Sequence, residues 1–317
     1  MSINPLVSVI IITYNSAKYV LDALESVKEQ TYQKIELIIS DDCSQDATVQ
    51  ICKEWIEKNN SRFVNSELIT VVKNTGTSAN CNRALAKCQG EWIKLFAGDD
   101  ALFPNCIQDF VEYVRNNSEA KCVLGNIREY KYTFDEKNLV DEKSMHFHNN
   151  DEVLEKSAEE QFQKLIRGNS FIPPSIFINA KVMKDLGGYD EKYGIYEDTP
   201  FYAKLLMAGY KIYGLDKDVQ KYRTTDTNIY ANTTYLFNYQ HKLMNILFQK
   251  DCYFPYLSRI ERIRRRLYFG IYYIMNMLGL RRRTTLNKLF RFLLLSSVAL
   301  FTLDFSKINR YFILKKA

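Results

Sequence analysis

Short apolar blocks alternate with longer stretches in which apolar residues recur every three or four positions, and this rhythm predicts a layered α/β chain. The run VSVIIIT (7–13) is apolar, β-branched and of strand length. Val20, Leu21, Leu24 and Val27 then fall on one face of a helix. IELIIS (35–40) predicts a second buried strand, and Val49, Cys52, Trp55 and Ile56 a second helix. ELITVV (67–72) and WIKLFA (92–97) predict two more strands, separated by a helix around Ala79 to Cys88. Strands joined by such helices imply βαβ units and a mostly parallel sheet flanked by helices.

Beyond residue 120 the pattern is more mixed. Residues 121–178 predict strands and an amphipathic helix over Ala158–Arg167, and the polar stretch Asp135–Asp151 predicts a loop over one face. His146 and His148 within it read as surface residues. A tight turn at Gly187-Gly188 then precedes Glu197-Asp198, at the mouth of a helix over Pro200–Ala208. Thr199 as N-cap and Pro200 at the first helical position offer these acids a structural reading, since acids are favourable at a helix N-terminus.

In open α/β sheets a ligand lies outside the carboxyl ends of the strands. The four predicted strands end in Thr13-Tyr14-Asn15, Asp41-Asp42, Asn74-Thr75-Gly76 and Asp99-Asp100. Turn chemistry explains each of these singly. Four on one rim point to a polar ligand. No G-x-G-x-x-G follows the first strand and no G-x-x-x-x-G-K-[ST] occurs, which argues against dinucleotide and P-loop sites. Without a glycine nest, a diphosphate ligand needs a metal held by carboxylates. Asp99 and Asp100 are the candidates, because Mg²⁺ and Mn²⁺ bind through one or two carboxylates plus substrate phosphates.

Composition adds a second region. Of 317 residues 46% are hydrophobic, and 12 Gly with 6 Pro leave little room for low-complexity linkers. Seven Cys without a C-x-x-C pair argue against a disulfide framework or structural zinc and suit a reducing cytosol. They read as small core residues, with Cys43 alone in a ligand-side loop. MSINPLVSVIIITYN lacks a basic n-region and reads as a strand, not a signal peptide. The net charge of +6 is unevenly spread: from Pro255 onward fourteen Lys/Arg face two acids, Glu261 and Asp304. The apolar runs Leu267–Leu280 and Phe292–Leu303 hold fourteen and twelve residues, short of the roughly 20 needed to span a bilayer. Flanked by Arg264–Arg266 and Arg281–Arg283, they suit helices lying on an anionic membrane surface. The alternative is a helical bundle packed on the preceding α/β domain, or a dimer contact. No nucleic-acid-binding motif accompanies the charge, so no nucleic acid partner is expected.

The segments VSVIIITYNSAKYVLDALESVKEQTYQKIELIISDDCSQDAT, NTGTSANCNRALAKCQGEWIKLFAGDDALFP and GGYDEKYGIYEDTPFYAKLLMAGYKI resemble, in order, the motifs of family-2 glycosyltransferases, inverting nucleotide-sugar enzymes of the GT-A fold. The resemblance covers roughly residues 6–225. It implies a Rossmann-like GT-A catalytic domain over 1–230, with a nucleotide-sugar half to about residue 120 and an acceptor half over about 121–230; residues 231–317 lie outside the resemblance and read, from their own pattern, as a helical basic and amphipathic extension. It also implies that Thr13 and Tyr14 line the nucleotide base, that Asp42 bonds the uracil imide, and that Asn15, Asn74, Gly76 and Asn82 belong to the nucleotide-sugar site. Asp99 would face the ribose, Asp100 would ligate Mn²⁺ or Mg²⁺, and Asp198 would be the general base, with Glu197 supporting it or touching the acceptor. Ala97 stands where many members carry a further Asp, so the metal would rest on one carboxylate and the diphosphate. In YRTTDTNI, where many members place a His, Arg223 would serve the diphosphate. The implied reaction moves a hexose or N-acetylhexosamine from a UDP-sugar to a sugar hydroxyl. The implied acceptor is a polyprenyl-diphosphate-linked glycan in bacterial O-antigen or capsule synthesis, on the inner face of the cell membrane. A catalytically silent nucleotide-sugar-binding scaffold, or a protein- or lipid-directed transferase, is the alternative. A nucleotidyltransferase would need a Gly-rich, Lys-containing loop that TYNSAKY does not offer. Sugar, linkage and oligomeric state stay open.

Overall fold

The structure, a computed structural model, describes residues 4–145, 151–167, 175–225 and 235–302. His146 and His148 lie outside them. Two units divide the chain, Met1–Thr224 and Thr225–Ala317.

The first unit opens with β1 (Val7–Thr13), α1 (Val20–Lys28), β2 (Ile35–Asp41), α2 (Thr48–Asn59), β3 (Asn65–Thr70), α3 (Thr77–Leu85) and β4 (Trp92–Ala97). It continues through β5 (Ala101–Leu102), α4 (Cys106–Asn116), β6 (Cys122–Lys131), β7 (Leu139–Met145), α5 (Asp151–Leu154) and α6 (Ala158–Ile166). It closes with β8 (Ile176–Asn179), α7 (Ala180–Asp185), α8 (Asp198–Met207) and β9 (Ile212–Thr224). The strands form one sheet in the order β3-β2-β1-β4-β8-β6-β9-β5, with β7 paired to β6 off this path. Strands β3, β2, β1 and β4 are parallel, whereas β8 runs antiparallel to both β4 and β6.

Every residue of β2, and all of β1 but one, is buried, as continuous apolar strands covered on both faces must be. Val20, Ala23, Leu24 and Val27 of α1 join Cys52 and Trp55 of α2 in that core. Each such Val or Leu side chain contributes about 1.5–3 kcal/mol on burial. The rings of Trp92 (β4), Phe177 (β8) and Phe110 (α4) stack in series, with centroids 5.1 and 4.8 Å apart. This stack locks the middle of the sheet where it changes from parallel to antiparallel.

Three expectations are corrected. The third strand is Asn65–Thr70 rather than 67–72: its register follows β2 to Asp41↔Thr70, so it ends where β2 ends and leaves Val72 exposed. The polar stretch after Asp135 is not all loop, because Leu139–Met145 pairs antiparallel with β6. A strand bonded along one side only is free to be charged, and charged residues protect such edges. Finally, α8 begins at Asp198 with Glu197 at its N-cap position, so Thr199 is not the cap. Pro200 is still within the first turn, where no backbone N–H is needed.

In the second unit α9 (Tyr239–Phe248), α10 (Arg259–Met277) and α11 (Thr285–Thr302) follow. Ser258 and Glu261 cap α10 reciprocally. Tyr268, Ile271 and Met275 of α10 pack with Leu295 of α11 and with Leu236 and Phe237. Among the described residues no helix is long and apolar enough to cross a membrane.

Candidate active site

The parallel strands deliver their polar C-terminal residues to one rim, and the loops there are tied to one another. Thr13, at the end of β1, donates its hydroxyl to Asp41 Oδ2 (2.8 Å), and Ser44 donates its hydroxyl to the same oxygen. Asn15 adopts a left-handed φ of 52°. Its N–H donates to Ser44 Oγ, and its Oδ1 accepts from the Gln45 N–H, each at 2.8 Å. Tyr14 between them is half exposed. Of the two acids ending β2, Asp41 is thus occupied in holding the β1 and β2 loops together.

Asp42 faces the loop before α3. Its carboxylate accepts from the N–H and hydroxyl of Thr75, the N–H of Gly76 (2.7 Å) and Arg83 Nη2 (2.9 Å). Burial alone would push this carboxyl up, but the hydrogen bonds from Thr75, Arg83 and Gly76 hold it below the usual range. Gly76 caps α3 with φ 89°, and its N–H is also within reach of Asn74 Oδ1 (3.2 Å). Arg83 further donates to Asn80 Oδ1 and Thr75 Oγ1. Arg83 was not among the residues expected from the sequence, although it stands about one helical turn beyond Asn80.

Asn82 is turned elsewhere. Its amide donates to Tyr189 O (2.9 Å) and Glu191 Oε1 and accepts from the Tyr189 N–H. It stitches α3 to the turn that leads toward α8. Gly188 in that turn has φ 64°, and a Cβ there would come 2.5 Å from Asn82 Oδ1. Only glycine allows both.

Asp99 and Asp100 leave β4 through Gly98, where a Cβ would meet Thr13 Cγ2 at 2.7 Å. Asp100 is buried. Its Oδ1 accepts the Arg223 N–H and its Oδ2 accepts Gln220 Nε2, both at 2.9 Å. Burial, and then the charge of Asp99, push the Asp100 carboxyl well up. Asp99 is half-buried and raised as well, chiefly by burial. Each Asp100 oxygen retains a lone pair, and an all-oxygen donor set is what Mg²⁺ and Mn²⁺ take. No group of three or more His, Cys, Asp or Glu is gathered for a metal among the described residues. One or two carboxylates plus a substrate diphosphate fit such a cation.

Arg223 is placed differently from the sequence expectation. Its guanidinium is buried between the rings of Tyr19 and Phe134, 4.5 and 3.9 Å from their centroids. It donates to Asp99 O (2.7 Å), Tyr132 O and Asp22 Oδ2 (2.5 Å). Its donors hold the loop that bears the acids, and the expected diphosphate contact finds no support in that placement.

Glu197 and Asp198 open α8, both half-buried. Asp198 is pushed up to about 6 by burial, with Lys94 opposing. Glu197 is pushed well up by burial and then by the charge of Asp198. The buried hydroxyls of Tyr189 and Tyr202 and the Cys81 thiol feel both acids. Lys94 on β4, also missed in the sequence, interacts electrostatically with both Asp100 and Asp198.

A family model described as glycosyl transferase family 2 matches residues 8–185, more than half of the chain. The chain belongs to that family. This glycosyltransferase is 26% identical over 237 residues to the uncharacterized glycosyltransferase MJ1057 of Methanocaldococcus jannaschii, covering 72% of this chain and 74% of that one. It is 32% identical over 127 residues to glycosyltransferase GlyG of Streptococcus pneumoniae, which is 39% of this chain and 40% of GlyG. Among solved structures, S. aureus TarS in complex with UDP-GlcNAc superposes with a TM-score of 0.57 at 19% identity. That match covers 84% of this chain and 72% of that one. The mannosyltransferase PcManGT from Pyrobaculum calidifontis, in complex with GDP-Man and Mn²⁺, gives 0.56 at 18% identity, over 79% of this chain and 64% of that one. At such identities the likeness is one of fold, and the fold is GT-A.

Proposed function

We propose that this glycosyltransferase moves a hexose or N-acetylhexosamine from a UDP-sugar to a sugar hydroxyl with inversion. The observation that carries the reading is Asp100, buried at the end of β4 and held on one oxygen by Gln220 Nε2 and on the other by the Arg223 N–H, on a chain whose half-buried acid pair Glu197-Asp198 opens α8. The acceptor hydroxyl gives its proton to Asp198, and its oxygen attacks the anomeric carbon from the face opposite the nucleotide. The bond to the departing diphosphate breaks as the new one forms. Asp100 would hold Mn²⁺ or Mg²⁺, which offsets the charge growing on the diphosphate. Asp42, set in its ring of donors with Arg83, suits the base, and half-exposed Tyr14 can stack on it. UDP is favoured as the carrier because TarS, similar in both sequence and fold, is seen with UDP-GlcNAc. Titration calorimetry with UDP should show tighter binding with Mn²⁺ in the wild type and no such gain in Asp100→Asn. Equal affinity with and without the cation in both proteins would refute the site.

The acceptor we infer is a polyprenyl-diphosphate-linked glycan of surface polysaccharide synthesis, reached from the inner face of the membrane. Support comes from the second unit. Ile260, Ile263, Ile274 and Met277 are exposed on α10 at heptad-compatible positions, as are Leu286, Leu289 and Leu293 on α11. Exposed Arg262, Arg266, Arg282, Arg283 and Lys288 stand among them. Such a surface binds anionic bilayers by apolar insertion and charge together. Each nearby basic residue contributes about 1 kcal/mol. Arg282→Glu with Arg283→Glu should therefore weaken sedimentation with anionic vesicles by more than about tenfold at low salt. Equal binding of wild type to neutral vesicles, or an unaffected variant, would sink the membrane reading.

A further inference from the structure

Lys94 is a lysine where the fold has every reason to want a hydrocarbon. It stands on the central strand β4 between Trp92 and Phe96, on the same face as both, and is fully buried. Its ammonium makes no ion pair within 4 Å among the described residues. It donates instead to Leu95 O (3.2 Å) and to Gln220 Oε1 (2.8 Å) on β9. A buried charge with no carboxylate against it is costly, and a methionine would fill the same space at no such cost.

We infer that Lys94 and Gln220 form a positioning pair that fixes the carboxylate plane of Asp100. An ammonium only donates, whereas a primary amide has one accepting end and one donating end. With Oε1 taken by Lys94, the amide must turn Nε2 toward Asp100, and there it donates to Oδ2 at 2.9 Å. Flipping the amide would set N–H against the ammonium and carbonyl oxygen against the carboxylate, two repulsions at once. The Arg223 backbone N–H holds the other oxygen, Oδ1, at 2.9 Å. Asp100 is thus gripped once on each oxygen, and its remaining lone pairs point in set directions. Lys94 never touches the carboxylate; it acts through the amide. The inference rests on the reading of Asp100 as the cation's ligand.

The test is the Mn²⁺-linked gain in UDP affinity, measured by calorimetry on the full chain and without turnover. Lys94→Met and Gln220→Leu should each cut that gain by about tenfold and leave affinity for UDP alone within twofold. The double variant, apolar at both positions, should be no worse than either single change, because the two side chains work as one unit. It also keeps the inference testable should a single change leave a lone polar group and unfold the protein. A folded Lys94→Met or double variant with the full gain would overturn the positioning role. Retention of the gain by Asp100→Asn, or its absence in the wild type, would instead remove the cation reading beneath it and the inference with it.

Discussion

Replacing Asp198 by Asn is expected to slow sugar transfer by about 10²–10⁴-fold, the usual effect of losing a general base. UDP-sugar affinity should stay within a few-fold, because the lost interaction belongs to the transition state. The choice of Asp198 over its neighbour follows from their environments. Asp198, raised by burial to about 6, is ionised at neutral pH and more basic than an ordinary carboxylate. Glu197 is pushed well up, by burial first and then by the charge of Asp198, and the two acids titrate as a pair. Transfer by the wild type should accordingly rise with pH through about 6. Stability should move the other way. The folded-state value exceeds the ordinary 3.8, so the contribution of Asp198 to stability is whole below pH 3.8 and is lost as pH rises through about 6. The loss is on the order of 2–3 kcal/mol. Asp198→Asn escapes it, and should melt higher than wild type at pH 8 but not at pH 4. A folded variant that still transfers sugar at close to the wild-type rate would exonerate Asp198 and direct attention to Glu197, for which Glu197→Gln is the control.

What was legible in the sequence follows from range. The runs of β1, β2 and β4 stand out because strands covered on both faces must be apolar at every position, a signal that needs no partner to read. β7 was hidden because a strand bonded along one side has no such requirement, and its charges read as loop. The acids Asp42, Asp99, Asp100 and Asp198 were visible as residue types out of keeping with the apolar segments beside them. Their partners were not. Gln220 lies 126 residues from Lys94 and 120 from Asp100, and Arg83 lies 41 from Asp42. No local periodicity carries pairings of that span. Asn15 and Asn82 show the converse case. Their residue type and place suited a ligand, yet the Asn15 carbonyl oxygen and both ends of the Asn82 amide are engaged in holding loops, which only the geometry reveals.

Arg223→Met should cost about 3 kcal/mol or more, and the cause separates two roles for this residue. The guanidinium satisfies the carbonyls of Asp99 and Tyr132 and the carboxylate of Asp22, and lies between two aromatic rings. Methionine can keep part of the packing but offers no donor. The Asp22 carboxylate is exposed enough to recover water. The two carbonyls, bonded in part-buried positions, lose this donor, at up to about 1–3 kcal/mol each. The Asp99 carbonyl matters most, since it belongs to the turn that presents both acids. A loosened turn should weaken the Mn²⁺-linked part of UDP binding together with the melting temperature. A diphosphate ligand role predicts the opposite pattern, with unchanged melting and loss of UDP affinity whether or not Mn²⁺ is present. Lysine at this position could still meet one carbonyl but not all three acceptors, so Arg223→Lys should fall between wild type and Arg223→Met in melting temperature. Melting curves and calorimetry on the same three proteins decide it: a normal melting temperature in Arg223→Met would break the link between this side chain and the acid-bearing turn.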